Sequence, residues 1–153
     1  MSARLSDIVT AAPDLIARAS LAVDTRGPGI VEFSREAAEF LTKAGAGEGV
    51  LAAYVRHTSA SLTIQENADP DVKRDLMTAL ARLAPEDAGW VHDTEGPDDM
   101  PAHIKAMLTG ISLQVPVAGG RMMLGTWQGL YLVEHRARPH AREIVLQFVG
   151  SRR

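Results

Sequence analysis

Four short runs, 111-ISLQVPV-117, 121-RMMLG-125, 128-QGLYLVEHR-136 and 142-REIVLQFVG-150, follow one another to the end of the chain. Each carries the aliphatic and β-branched residues of a strand. The residues 118-AGG-120 between the first two read as a hairpin. Strands that neighbour each other in sequence favour an antiparallel or mixed sheet with helices on one side. Earlier runs join them: 15-LIARASLAV-23, closed by the turn signal 24-DTRGPG-29, then 50-VLAAYVRH-57 and 60-ASLTIQ-65. The predicted class is α+β, mainly antiparallel, in a single domain over residues 1–153, a length that suits one compact core.

The helices are marked by their ends. Asp69 is an N-cap, Pro70 fits the first helical position and Asp71 complements the dipole. Val72, Leu76, Leu80 and Leu83 then form an apolar stripe, and Pro85 closes it. Ser34 is expected to cap an earlier helix that ends near Gly45 and turns Ala37, Phe40 and Leu41 to the core, with 45-GAGEG-49 as a loop. The acid-rich stretch 86-EDAGWVHDTEGPDDM-100 reads as an irregular loop, of the kind that more often serves function than connection. It runs into a short helix beginning Pro101, Ala102, His103.

Composition excludes several classes. A hydrophobic fraction of 46% and a charged fraction of 23% argue against disorder. A net charge of −3 argues against a general nucleic-acid binder. There is no cysteine, hence no disulfide, thiol nucleophile or Cys-ligated zinc, and a reducing cytoplasm is expected. No apolar run approaches the length of about 18 residues that marks a membrane span.

Polar residues gather at element ends. His57, His92 and His103 each have a carboxylate or hydroxyl neighbour close in sequence, and neutral imidazoles ligate metals or shuttle protons. His103 falls in a first helical turn, where the dipole favours anions, with Lys105 nearby; Asp98 or Asp99 would cap that helix. In 57-HTSASLTIQEN-67, strand alternation puts His57, Ser59, Ser61, Thr63 and Gln65 on one polar face. The hydroxyls of Thr58, Ser59 and Ser61 suit hydrogen bonding to phosphate, or a solvated strand face. Near 125-GTWQGLYLVEHR-136, Glu134 and Arg136 share a face and form either a structural pair or a site that ligates metal and grips phosphate.

The strings 57-HTSASL-62, 66-ENADPDV-72, 92-HDTEGPDDMPAHIK-105 and 125-GTWQGLYLVE-134, closing with 139-PH-140, together resemble the YjbQ-type family, whose members are often labelled secondary thiamine-phosphate synthases. The resemblance implies an α+β homotrimer with sites near subunit interfaces. It implies thiamine-phosphate synthase activity, in which a thiazole phosphate displaces pyrophosphate from a pyrimidine diphosphate. Carried over by position, His57, Asn67, His92, Asp99, His103, Gln128 and Glu134 match the polar residues of the pattern, and His135 matches less firmly; Val91 departs from it.

From residues and resemblance together, His57, Asp99, His103 and Glu134 are expected to be catalytic. Thr58, Ser59, Ser61, Asn67, Lys105, Gln128 and Arg136 are expected to bind a phosphorylated small molecule. A divalent ion, zinc or magnesium, is expected at His57, His92 and His103. Two alternatives are a metal-dependent phosphohydrolase and a trimeric ligand- or metal-binding protein without turnover.

Overall fold

The computed structural model describes residues 2–153. Eight strands and three helices follow in the order β1 (Leu15–Thr25), β2 (Gly29–Glu32), α1 (Ser34–Ala44), β3 (Ala46–Val55), β4 (Ala60–Glu66), α2 (Pro70–Leu83), α3 (Asp99–Thr109), β5 (Ser112–Ala118), β6 (Arg121–Met122), β7 (Gln128–Glu134) and β8 (His140–Arg152). They form two sheets, β1-β8-β3-β5-β6 and β2-β7-β4, and every paired strand is antiparallel. The α+β expectation holds.

The core lies between the sheets and is closed by α1. Leu51 and Val55 of β3, Val115 and Val117 of β5, and Ile144, Leu146 and Phe148 of β8 meet Leu62 of β4 and Leu130 and Leu132 of β7. Phe33, Ala37 and Leu41 seal one end. With few aromatics, the interior rests on aliphatic burial, worth about 25 cal/mol per Å² of apolar surface.

Asp69 caps α2 as expected, its carboxylate accepting from the Asp71 amide at 2.9 Å. The α2 stripe is only half covered, however: α2 buries no residue fully and Leu83 is 67% exposed. Ser34 is no cap. Its hydroxyl donates to Glu32 and accepts from the Leu130 amide, tying α1 to β7. Gly45 ends α1 in the left-handed region, where a C-terminal glycine belongs.

Several predicted boundaries move. Only Gly45 of the segment 45–49 turns; residues 46–49 are not a loop but the bulged start of β3, with a register shift between Ala46 and Gly49. Gly47 and Gly49 serve close backbone approach rather than a turn, because a Cβ on Gly47 would strike the Arg152 carbonyl and one on Gly49 the Val149 carbonyl of β8. The turn expected at 24–29 is present but narrower, over residues 26–28, since β1 runs to Thr25 and a strand that was not expected, β2, starts at Gly29 and is too short for its alternation to show. The β5–β6 hairpin is present, with Gly119 and Gly120 both at positive φ (55° and 77°), but β6 stops at Met122. Among the described residues no helix is long and apolar enough to cross a membrane.

Candidate metal centre

The helix expected to begin at Pro101 begins at Asp99 instead. That places Asp99 and His103 one turn apart on the same face of α3. Asp99 Oδ2 lies 3.3 Å from His103 Nε2 and 2.7 Å from His92 Nε2, and one donor atom from each residue falls within 4.8 Å of the others. Donors around a tetrahedral ion with bonds of about 2.0–2.1 Å stand roughly 3.3 Å apart, so modest adjustment accommodates one.

Two of the three donors, His103 and Asp99, are aimed by a second contact. His103 Nδ1–H donates to the Thr58 carbonyl at 3.0 Å, which fixes the proton there and leaves the Nε2 lone pair for Asp99's side of the site. Arg136 donates through Nη1 to Asp99 Oδ1, leaving Oδ2 to face the imidazoles. The same guanidinium donates from Nε to Asp98 (3.0 Å) and from Nη2 to the Glu95 carbonyl (2.9 Å). One arginine therefore clips the end of the acid-rich loop to the start of α3. Burial works against the charge on Asp99, but the His92 hydrogen bond and the Arg136 charge outweigh it and hold the carboxyl below its usual range. Asp98 does not cap α3 with its side chain; its carboxylate accepts from Arg136 and from the Ala137 amide.

Beneath the cluster sits a second ion pair. Glu134 is fully buried, and Arg142, not Arg136, neutralises it through Nη2 at 2.6 Å and Nε at 2.7 Å. Thr25 (2.7 Å) and the Arg136 amide (2.9 Å) donate as well. Burial raises the cost of this charge, yet these donors prevail and keep the carboxyl below its usual range. With four donors already on its oxygens, Glu134 is an anchor between β7 and β8 and has no lone pair directed at the imidazoles. The expected Glu134–Arg136 side-chain pair is thereby corrected.

Other expected residues scatter. Asp99, rather than His57, completes the set with His92 and His103; His57 Nε2 instead accepts from the Glu143 amide at 2.9 Å. Ser59 accepts from Arg142 at 3.1 Å. Ser61 does not face solvent: it is fully buried, 2.8 Å from His135 Nε2 and bonded to Thr109. Lys105 is half-buried on α3 and makes no ion pair among the described residues. Asn67 and Gln128 lie at the far end of the β4–β7 ladder, where Glu66 pairs with Gln128 while Ala60 pairs with Glu134, about 20 Å away along the strand. In one chain they do not join the centre.

Arg142 was missed in the sequence, although its signal is there. Alternation puts it on the inward face of β8 with Ile144, Leu146 and Phe148, and a charge in that row requires a buried partner.

Residues 19–151 match the family model for UPF0047 protein YjbQ-like. A UPF0047 protein of Synechocystis is 48% identical over 132 residues, covering 86% of this chain and 90% of that protein. The UPF0047 protein YjbQ of Salmonella typhimurium is 47% identical over 103 residues, 67% and 75% of the two chains. A crystal structure from Sulfolobus solfataricus, described as a YbjQ-like protein of unknown function, superposes with a TM-score of 0.83 at 23% identity, covering 89% of this chain and 98% of that one. These findings correct the expected activity. The matched proteins carry a family designation without a reaction, so neither thiamine-phosphate synthesis nor phosphate hydrolysis stands. The chain belongs to the UPF0047 YjbQ-like family.

Proposed function

We propose that this protein binds a divalent cation between His92, Asp99 and His103 and that the centre is of the open, reactive kind. The observation that carries the reading is the convergence of His92 Nε2, Asp99 Oδ2 and His103 Nε2, with the last two held by Arg136 and the Thr58 carbonyl. Three protein donors leave a position for water or a ligand, as in catalytic rather than closed structural sites, and His92 stands at the surface with 45% of its side chain exposed. Mixed imidazole and carboxylate donors favour zinc, manganese or iron over an all-oxygen ion such as magnesium. When bound, such an ion acidifies a coordinated water and polarises a coordinated oxygen. The chain's own part is to keep Asp99 ionised, to hold the His103 proton on Nδ1 and to aim both remaining lone pairs outward.

The test is metal content. Protein purified without chelator is expected to carry close to one equivalent of a transition metal or zinc by elemental analysis. His103→Ala and Asp99→Ala should lose it while circular dichroism is unchanged. Full retention in both variants removes the site.

We also read the chain as one subunit of a homo-oligomer, with the trimer as the expected form. In support, Ile16, Val149, Val50 and Pro116 pair side by side across four strands on the outer face of the larger sheet, and all four are exposed. A cytoplasmic setting is supported by the absence of cysteine. Sedimentation of the purified protein tests the assembly.

A further inference from the structure

Beside the metal centre two cavities share His57, Thr58 and Ile111. One, of about 390 Å³, is walled by His103, Ala106 and Met107; the other, of about 510 Å³, by Arg56, Ser59 and Arg142. With three walls in common they make one groove, whose His103 half is mainly apolar and whose Arg142 half carries two guanidiniums.

Arg142 is the informative residue. It is only 3% exposed, and its Nε and Nη2 are spent on Glu134 and Ser59. Nη1 makes no hydrogen bond among the described residues, yet the side chain borders the cavity it shares with Arg56. A buried guanidinium with an unused nitrogen is a donor waiting for an acceptor. Arg56 stands opposite Glu143 at only 3.4 Å, too long for a strong pair, and is itself 61% exposed. His57 adds a third donor: its Nε2 accepts from the Glu143 amide, so the neutral ring carries its proton on Nδ1. Burial and the Arg142 charge both disfavour the imidazolium, in keeping with a cationic cavity. The Thr58 hydroxyl, also on the wall, makes no hydrogen bond among the described residues. The acids nearby, Glu134 and Glu143, are engaged by Arg142 and by Ser20, the latter at 2.8 Å.

We propose that Arg56, Arg142 and His57 form an oxyanion-binding subsite, which takes the carboxylate or phosphate of a small molecule whose carbon body runs over Ala106, Met107 and Ile111 toward His103. The subsite stands on its own donors; only the direction of the ligand rests on the metal reading. Planar guanidiniums match either anion, so chemistry alone does not choose between the two.

Calorimetric or NMR titration of metal-stripped protein with inorganic phosphate, acetate and hexanoate tests this. Phosphate binding well above both carboxylates assigns a phosphate ester. Hexanoate binding at least tenfold tighter than acetate assigns a carboxylate with an apolar tail. In either case Arg56→Ala, an exposed change that spares the fold, should weaken binding about tenfold, and Arg35→Ala on α1 should not. Absence of saturable binding by all three probes, or binding indifferent to Arg56→Ala, overturns the subsite. Because no metal is present, such a failure leaves the metal centre untouched, and loss of metal binding leaves this result untouched.

Discussion

Arg142 grips Glu134 across the seam between the two sheets, with Nη2 2.6 Å from Oε1 and Nε 2.7 Å from Oε2. The pair joins β8 of the larger sheet to β7 of the smaller one, next to the proposed metal centre. Its desolvation is offset only because every oxygen of the carboxylate has a donor.

Glu134→Ala should therefore be severe. It strands a buried guanidinium, for which a loss of about 3–5 kcal/mol is expected. Chemical denaturation reads it directly; a loss below about 1 kcal/mol would show that the pair is not holding the sheets.

Arg136 holds Asp99 from the side away from the imidazoles. Arg136→Ala frees Asp98, Asp99 and the Glu95 carbonyl at once, so metal affinity should fall about 10- to 100-fold while the sheets persist. Competition with a chromophoric chelator measures the first and circular dichroism the second. Unchanged affinity would mean that Asp99 is positioned by α3 alone.

The fold was legible where alternation and capping act locally, as at Asp69 and along β8. It was misread where glycine had two uses. In 45-GAGEG-49 all three glycines read as a loop, but only Gly45 turns; Gly47 and Gly49 let β3 and β8 approach each other, which depends on a strand far along the chain. The site was half legible. His92, Asp99 and His103 were all candidates, but beginning the helix at Pro101 hid the one-turn relation of Asp99 to His103 and let His57 take the third place. Glu134 was paired with its sequence neighbour Arg136, because only the sheet register reveals Arg142.

His135 gives the pH dependence. It is buried against Ser61, its Nδ1 has no partner, and burial, followed by the Lys105 charge, depresses it from 6.5 to about 4 while Glu134 pulls the other way. As pH falls the unfolded chain takes the proton first. Stability is thus complete above pH 6.5 and is lost between 6.5 and about 4, by about 3 kcal/mol. His57, also depressed by burial and the Arg142 charge, loses stability in the same direction below pH 6.5, while Glu134 and Asp99, both held low, add their losses only at more acid pH. His135→Phe should flatten the decline above pH 4 in denaturation curves collected across this range; an unchanged slope assigns it to other groups.

Anomalous diffraction from crystals grown with zinc tests the central claim most directly. A single strong peak is expected about 2 Å from His92 Nε2, Asp99 Oδ2 and His103 Nε2, with a further light atom completing the coordination. A well-ordered His92–Asp99–His103 cluster that stays without a peak, or zinc bound only at other residues, would contradict it.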